Sequence, residues 1–164
     1  MSLAASLLLL AASAPSYVDW WLVGTGGERT EAVFIDKSTI NRRADGWTTF
    51  SEMEVVNGEH QIRGRYKSTR SVGWAQCATR SYMQQSGSVY GDDGQWKGDF
   101  NDYAPRHVVQ PGSVEDKVLL FACGDESHAD QYPRGSNPIA IADAIYANSQ
   151  KAARNNPAHG TPRQ

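Results

Sequence analysis

Short apolar runs alternate with turn-forming pairs through the middle of the chain. Trp20-Trp21-Leu22-Val23 opens an apolar run that Gly24, Gly26 and Gly27 stop. Glu31 to Ile40 is rich in β-branched residues, and Asp45-Gly46 follows as a hairpin-type turn signal. Trp47 to Val56 reads as a third strand closed by Asn57-Gly58. A fourth is read from about Gln61 to Thr69, where Ile62, Gly64 and Tyr66 alternate with Arg63, Arg65 and Lys67. Period-two alternation puts those three cations on one face, most simply the solvent face, and the apolar partners toward the core. Val72 to Met83, carrying Cys77, reads as a fifth strand and Ser86 to Tyr90 as a sixth. Sequential short strands joined by tight turns predict an antiparallel sheet.

The period changes after Pro111-Gly112. Ser113 is a good N-cap, and Glu115 and Asp116 fall in the first turn, where the helix dipole favours anions. Val114, Val118, Phe121 and Ala122 then share one helical face, and Gly124 is placed to end the helix. One amphipathic helix cannot bury its stripe alone, so it should lie on the sheet. Residues 125–137 are polar and turn-rich, and Pro138 to Arg154 reads as a second helix with Ile141, Ala142 and Ile145 on one side. The predicted class is α+β: an antiparallel β-sheet of about six short strands with one helix packed on it, plus a C-terminal helical extension. The last stretch, from Asn155 to Gln164, has nothing to bury and is expected to be disordered.

The first residues have a different character. Leu3 to Ala14 carries no charge but is shorter than the roughly 20 apolar residues that span a bilayer. It has the length of a signal-peptide core, and Ala12-Ser13-Ala14 is a cleavage-like pattern. The n-region holds no Lys or Arg, and a buried N-terminal helix is the alternative. No cysteine stands near the cleavage point to take a lipid, and no later stretch is apolar enough to span a membrane. The expected organisation is a signal segment over 1–16, one domain over 17–124, a polar linker and helix over 125–154, and a tail over 155–164.

The chain has 164 residues and a formal net charge of −2, which excludes a generally basic nucleic-acid binder. Two cysteines are too few for a Cys₄ metal knuckle. On an exported chain, Cys77 and Cys123 meet oxidising conditions, and their even count points to a disulfide between the strand and the helix above it. Loop-closure entropy gives such a bond roughly 4 kcal/mol as an upper figure. Two buried free thiols are the alternative for a chain kept in the cytosol.

The order of these features resembles the surface-adhesin E-like domain, a family of small exported bacterial proteins. The matching positions are Trp20-Trp21, Phe34-Ile35-Asp36 followed by Ser38 and Ile40, and Trp47. They continue with Cys77 followed by Arg80 and Tyr82, an isolated Trp96, and Pro111-Gly112-Ser113 leading a helix to Cys123. The resemblance covers about residues 18 to 124. It implies an antiparallel sheet packed by a helix, a surface or periplasmic location and, for the members that name the family, adhesion to host matrix proteins.

Chemistry-bearing motifs are otherwise sparse. Between His60 and Gly91 stand Arg63, Arg65, Lys67, Arg70 and Arg80 with no acidic residue. A basic sheet face can hold an acidic protein segment or a sulfated glycan, because arginine forks match planar oxyanions. The bland reading is a solvated strand face that blunts edge pairing. Arg63, Arg65 and Lys67 are the candidate ligand-binding residues. Lys97-Gly98-Asp99 resembles an integrin-binding tripeptide, a pattern that arises often by chance. His60, His107, His128 and His159 show no metal-binding spacing, and no G-x-S-x-G elbow, P-loop or dinucleotide fingerprint is present. The expectation is a non-enzymatic exported domain without a cofactor. Its expected partner is an extracellular macromolecule, a matrix protein or sulfated glycan; the alternative is a periplasmic accessory module with no host ligand.

Overall fold

The strands predicted from turn signals assemble in one sheet. A computed structural model describes residues 18–26, 30–57, 66–101, 104–127 and 133–155. The expectations for a signal segment over 1–16, for the strand residues 61–65 and for residues 156–164 of the tail lie outside the described residues; Asn155, read as the first residue of that tail, instead closes the C-terminal helix. Among those described, eight strands form one antiparallel sheet. They are β1 (Trp20–Thr25), β2 (Glu31–Arg42), β3 (Trp47–Val56), β4 (Ser68–Gln76), β5 (Ser81–Tyr90), β6 (Trp96–Phe100), β7 (Ala104–Val108) and β8 (Arg134–Gly135). The order across the sheet is β6-β5-β4-β3-β2-β1-β8, with β7 also pairing β5. The meander follows from short turns: Asp45 bonds Arg43 and the Trp47 amide, and Gly46 adopts φ 83° between β2 and β3.

Several strand limits differ from the pattern-based reading: β2 runs on past Ile40 to Arg42, and Tyr66 and Lys67, read as part of a fourth strand from about Gln61 to Thr69, precede β4. The stretch from Val72 to Met83 is not one strand. It breaks at a 3₁₀ turn, Cys77–Thr79, followed by Arg80 at φ 50°. Left-handed backbone at a non-glycine residue is strained, so no glycine or asparagine marked this reversal. The expected sixth strand, Ser86 to Tyr90, is the second half of β5. Two further strands, β6 and β7, extend the sheet through a charged, proline-containing stretch. Pro105 is tolerated because β7 lies at the sheet margin.

Each sheet face carries a helix. Helix α1 (Val114–Cys123) covers the first face. There Trp21, Val23, Val33, Ile35, Phe50, Ala75 and Tyr82 pack against Val118, Leu119, Phe121 and Ala122. Each fully buried Leu or Phe contributes roughly 1.5–3 kcal/mol by leaving water. The caps read from the sequence are formed: Ser113 Oγ accepts from the Asp116 amide at 3.0 Å, and Gly124 closes the helix at φ 101°. Cys77 and Cys123 are bonded, with Cα atoms 5.8 Å apart, tying the β4–β5 turn to the end of α1. The Arg80–Asp116 ion pair joins the same turn to the first turn of α1, and Asp116 also accepts from the Gly112 amide.

Helix α2 (Pro138–Asn155) covers part of the second face. Asn137 Oδ1 accepts from the Ala140 amide at its start. Ala142 and Tyr146, with Ile139, Ile141 and Ile145, lie over Trp20, Leu22, Ala32, Phe34, Met53 and Val55. Tyr146 donates from its hydroxyl to the Val55 carbonyl at 2.5 Å. The residues read as a C-terminal extension therefore complete the second core.

Candidate functional site

Cross-strand register determines which side chains share the second face beyond α2. Trp47, Gln76, Ser81 and Val108 stand opposite one another across β3, β4, β5 and β7. The next row is Thr49, Trp74 and Met83, and beyond it Ser51 faces Val72. Met53, Arg70, Ser88 and Asp99 form a further row, and Val55, Ser68, Tyr90 and Trp96 the last. Helix α2 stops over β1–β3, so among the described residues nothing covers the β4–β7 side of this face. The exposed large hydrophobic side chains among the described residues all fall there: Val72 at 41%, Trp96 at 59% and Val108 at 65% exposure. A register shift between Ser71 and Gly73 leaves Val72 without an opposing residue on β5.

Cations stack on aromatic rings along this face. The Arg43 guanidinium carbon lies 5.1 Å from the Trp74 ring centroid, that of Arg106 5.4 Å from Trp47, and that of Arg70 5.2 Å from Trp20. The Trp47 and Trp74 rings meet edge to face, 6.1 Å apart. Arg106 also donates to Gln76 Oε1 at 2.6 Å, which fixes its fork. Stacking holds the guanidinium plane and leaves N–H edges for an oxyanion. The acids described along this face, Asp45 and Asp99, are already engaged. Asp45 binds Arg43, which holds its carboxyl below the usual range. Asp99 accepts from Trp96 Nε1 and Ser88 Oγ, which likewise lower it. Among the described residues Arg70 and Arg106 have no ion-pair partner.

Of the candidate binding cations, Arg63 and Arg65 lie outside the described residues. Lys67 precedes β4, and its Nζ sits 2.5 Å from Asp143 Oδ1 on α2, with its side chain 13% exposed. It thus clamps α2 to the sheet. Tyr66 is half-buried and lies outside any strand. Arg70 belongs to the basic run read from the sequence, whereas Arg43, Arg106, Trp47, Trp74, Val72 and Val108 went unrecognised as a group. Only strand register brings them together, and no local spacing records it.

The first face carries a separate polar cluster beside α1. Glu52 on β3 accepts from the Tyr82 hydroxyl at 2.8 Å, and burial pushes its carboxyl up to about 7. Burial, with Glu31 beside it, raises Glu54 to about 7 as well. His107 stacks edge to face on Tyr82 and bonds Glu115 Oε2 at 3.0 Å through Nε2, which raises its pKa. Among the described residues no group of three or more His, Cys, Asp or Glu is arranged to hold a metal ion. No described helix is long and apolar enough to cross a membrane. Lys97 and Asp99 of the tripeptide are bonded to Asp93 and to Trp96 and Ser88 respectively.

A disulfide ties α1 to a meandering antiparallel sheet that carries a helix on each face, a small α+β domain. The family model of surface-adhesin protein E matches residues 20–124, from the start of β1 to the end of α1, and the chain belongs to that family. Solved structures of Haemophilus influenzae protein E resemble it. One crystal form is 13% identical, covers 58% of this chain and 82% of that one, and has a TM-score of 0.46. Another structure is 14% identical with 65% and 84% coverage and a TM-score of 0.45. That of protein E from the non-typeable organism is 12% identical, with 79% and 88% coverage and a TM-score of 0.39. A search of curated protein sequences gave no match.

Proposed function

We propose that this chain is an exported, non-enzymatic binding domain that acts at the cell surface. It engages a macromolecular ligand through the uncovered half of the second sheet face. Membership of a surface-adhesin family and the Cys77–Cys123 disulfide support export. The observation that carries the binding face is the convergence of Val72, Trp96 and Val108 with Arg70 and Arg106. Tryptophan and arginine are the residue types that carry most binding energy at protein interfaces. Arg63, Arg65 and Lys67, the cations that precede β4 in the chain, remain proposed contributors to anion binding.

Location and ligand are tested together. Protease applied to intact cells should remove the domain, and the purified chain should bind immobilised extracellular matrix. Reversing Arg70 and Arg106 should weaken that binding, and reversing Arg63 and Arg65, which leaves the Lys67–Asp143 clamp intact, measures the share of that run. Protection of the domain on intact cells, with no matrix binding at low salt, would make it a periplasmic accessory module instead.

A further inference from the structure

We infer that the uncovered half of the second face receives an extended polypeptide segment in which acidic and apolar side chains alternate along the side turned to the sheet. This rests on the proposed binding role of that face and names its ligand class.

Size comes first. Arg70, Val72, Trp74 and Gln76 share the face of β4. At about 3.3 Å per residue this row is roughly 20 Å long, the reach of about six extended residues. Charge comes next. The protein is net acidic at −2, yet among the described residues the unspent charge on this face is positive, because Asp45 and Asp99 are bonded within it. The Arg70 and Arg106 guanidinium groups lie over Trp20 and Trp47; Arg70 keeps its fork for a bidentate carboxylate, and Arg106, whose Nη2 donates to Gln76 and Thr79, keeps its remaining N–H groups for an oxyanion.

The apolar positions decide between ligand classes. Val72 and Val108 are aliphatic and exposed. They offer nothing to a sulfated sugar chain, but a Leu or Val side chain would bury against them. Arg70 and Val72 are two residues apart on one strand and therefore about 7 Å apart on one face. An extended ligand has the same repeat, so every second side chain meets the sheet and acid should alternate with apolar among them. A short peptide loses conformational freedom on docking, so affinity on the order of 10–100 μM is expected.

The test uses synthetic peptides and the whole chain. The probe is Glu-Ser-Leu-Ser repeated twice. Controls replace Glu by Lys, or Leu by Ser, and a heparin oligosaccharide represents anionic glycans. Binding is read by calorimetry at low salt. The Glu/Leu peptide should bind roughly tenfold more tightly than either control peptide or heparin. Arg70→Glu with Arg106→Glu should weaken it about tenfold, and Val72→Ser with Val108→Ser about threefold, while exposed Lys151→Glu changes it less than about twofold. Unchanged thermal melts will show that these surface variants fold. Equal binding of the Glu/Ser peptide, preference for heparin, or no peptide binding overturns the inference. If matrix binding nevertheless falls in the arginine variant, the proposed binding face stands and only this ligand class fails.

Discussion

Tyr82 on β5 donates its hydroxyl to Glu52 on β3 at 2.8 Å, across the intervening strand β4 and beneath the edge of α1. The bond satisfies a carboxyl group that is almost wholly removed from water. Gln84 extends the network by donating to Ser71 Oγ at 2.7 Å. Ionising Glu52 here is unfavourable because the surroundings cannot hydrate its charge.

Stability should therefore fall as pH rises from mildly acid to neutral. Glu52 and Glu54 ionise near 4.5 in the unfolded chain but at about 7 when folded, so the native state binds the extra protons. Their protonated forms favour folding below about 4.5, that advantage shrinks between 4.5 and 7, and it is gone above 7. His107, raised chiefly by its bond to Glu115, acts in the same direction. The melting temperature should be higher at pH 5 than at pH 8. Glu52→Gln should raise the pH 8 value and flatten the slope. A melting temperature that climbs toward pH 8 would contradict this account.

Replacing both cysteines by serine should lower stability by about 3–4 kcal/mol, near 10 °C in melting temperature. The bond closes a loop with a sequence separation of 46 residues and anchors the C-terminal end of α1. Reductant should reproduce the shift in the native chain and leave the serine variant unchanged.

Tyr146→Phe should cost about 1–2 kcal/mol, because it leaves the buried Val55 carbonyl without the hydroxyl that reaches it from α2. Hydrogen exchange should report faster opening of α2 in this variant, with α1 unaffected.

Gly73→Ala should destabilise by about 1–3 kcal/mol. A Cβ there would stand 2.4 Å from Phe50 Cε2, and Phe50 is fixed in the first core. Denaturant melts of this variant beside Gly94→Ala, where a Cβ meets nothing but φ is +70°, separate crowding from backbone strain.

Elements bounded by turn chemistry were legible in the sequence. Asp45-Gly46 and Asn57-Gly58 delimited β3 as Trp47–Val56, and Ser113 and Gly124 bracketed α1. The disulfide was legible too, from the even cysteine count on a chain expected to be exported. The reversal at Cys77–Arg80 was hidden because Arg80 takes a left-handed conformation that its neighbours do not announce. Its restraint is tertiary: the disulfide and the Asp116 ion pair hold the turn from above. The binding face was hidden for a related reason. Arg43 and Arg106 are far apart in the chain and meet the Trp74–Trp47 pair only after four strands take register.

Helix α2 begins beyond residue 124, where the family match ends, yet it shields Trp20, Leu22, Phe34, Met53 and Val55. Trimming the protein to its recognisable family segment would strip that cover and expose a broad oily surface. Such a fragment would cling to plastic, to hydrophobic resin and to denatured matrix alike. Adhesion measured with it would report the missing helix, so only a chain that keeps residues 133–155 can distinguish recognition from stickiness.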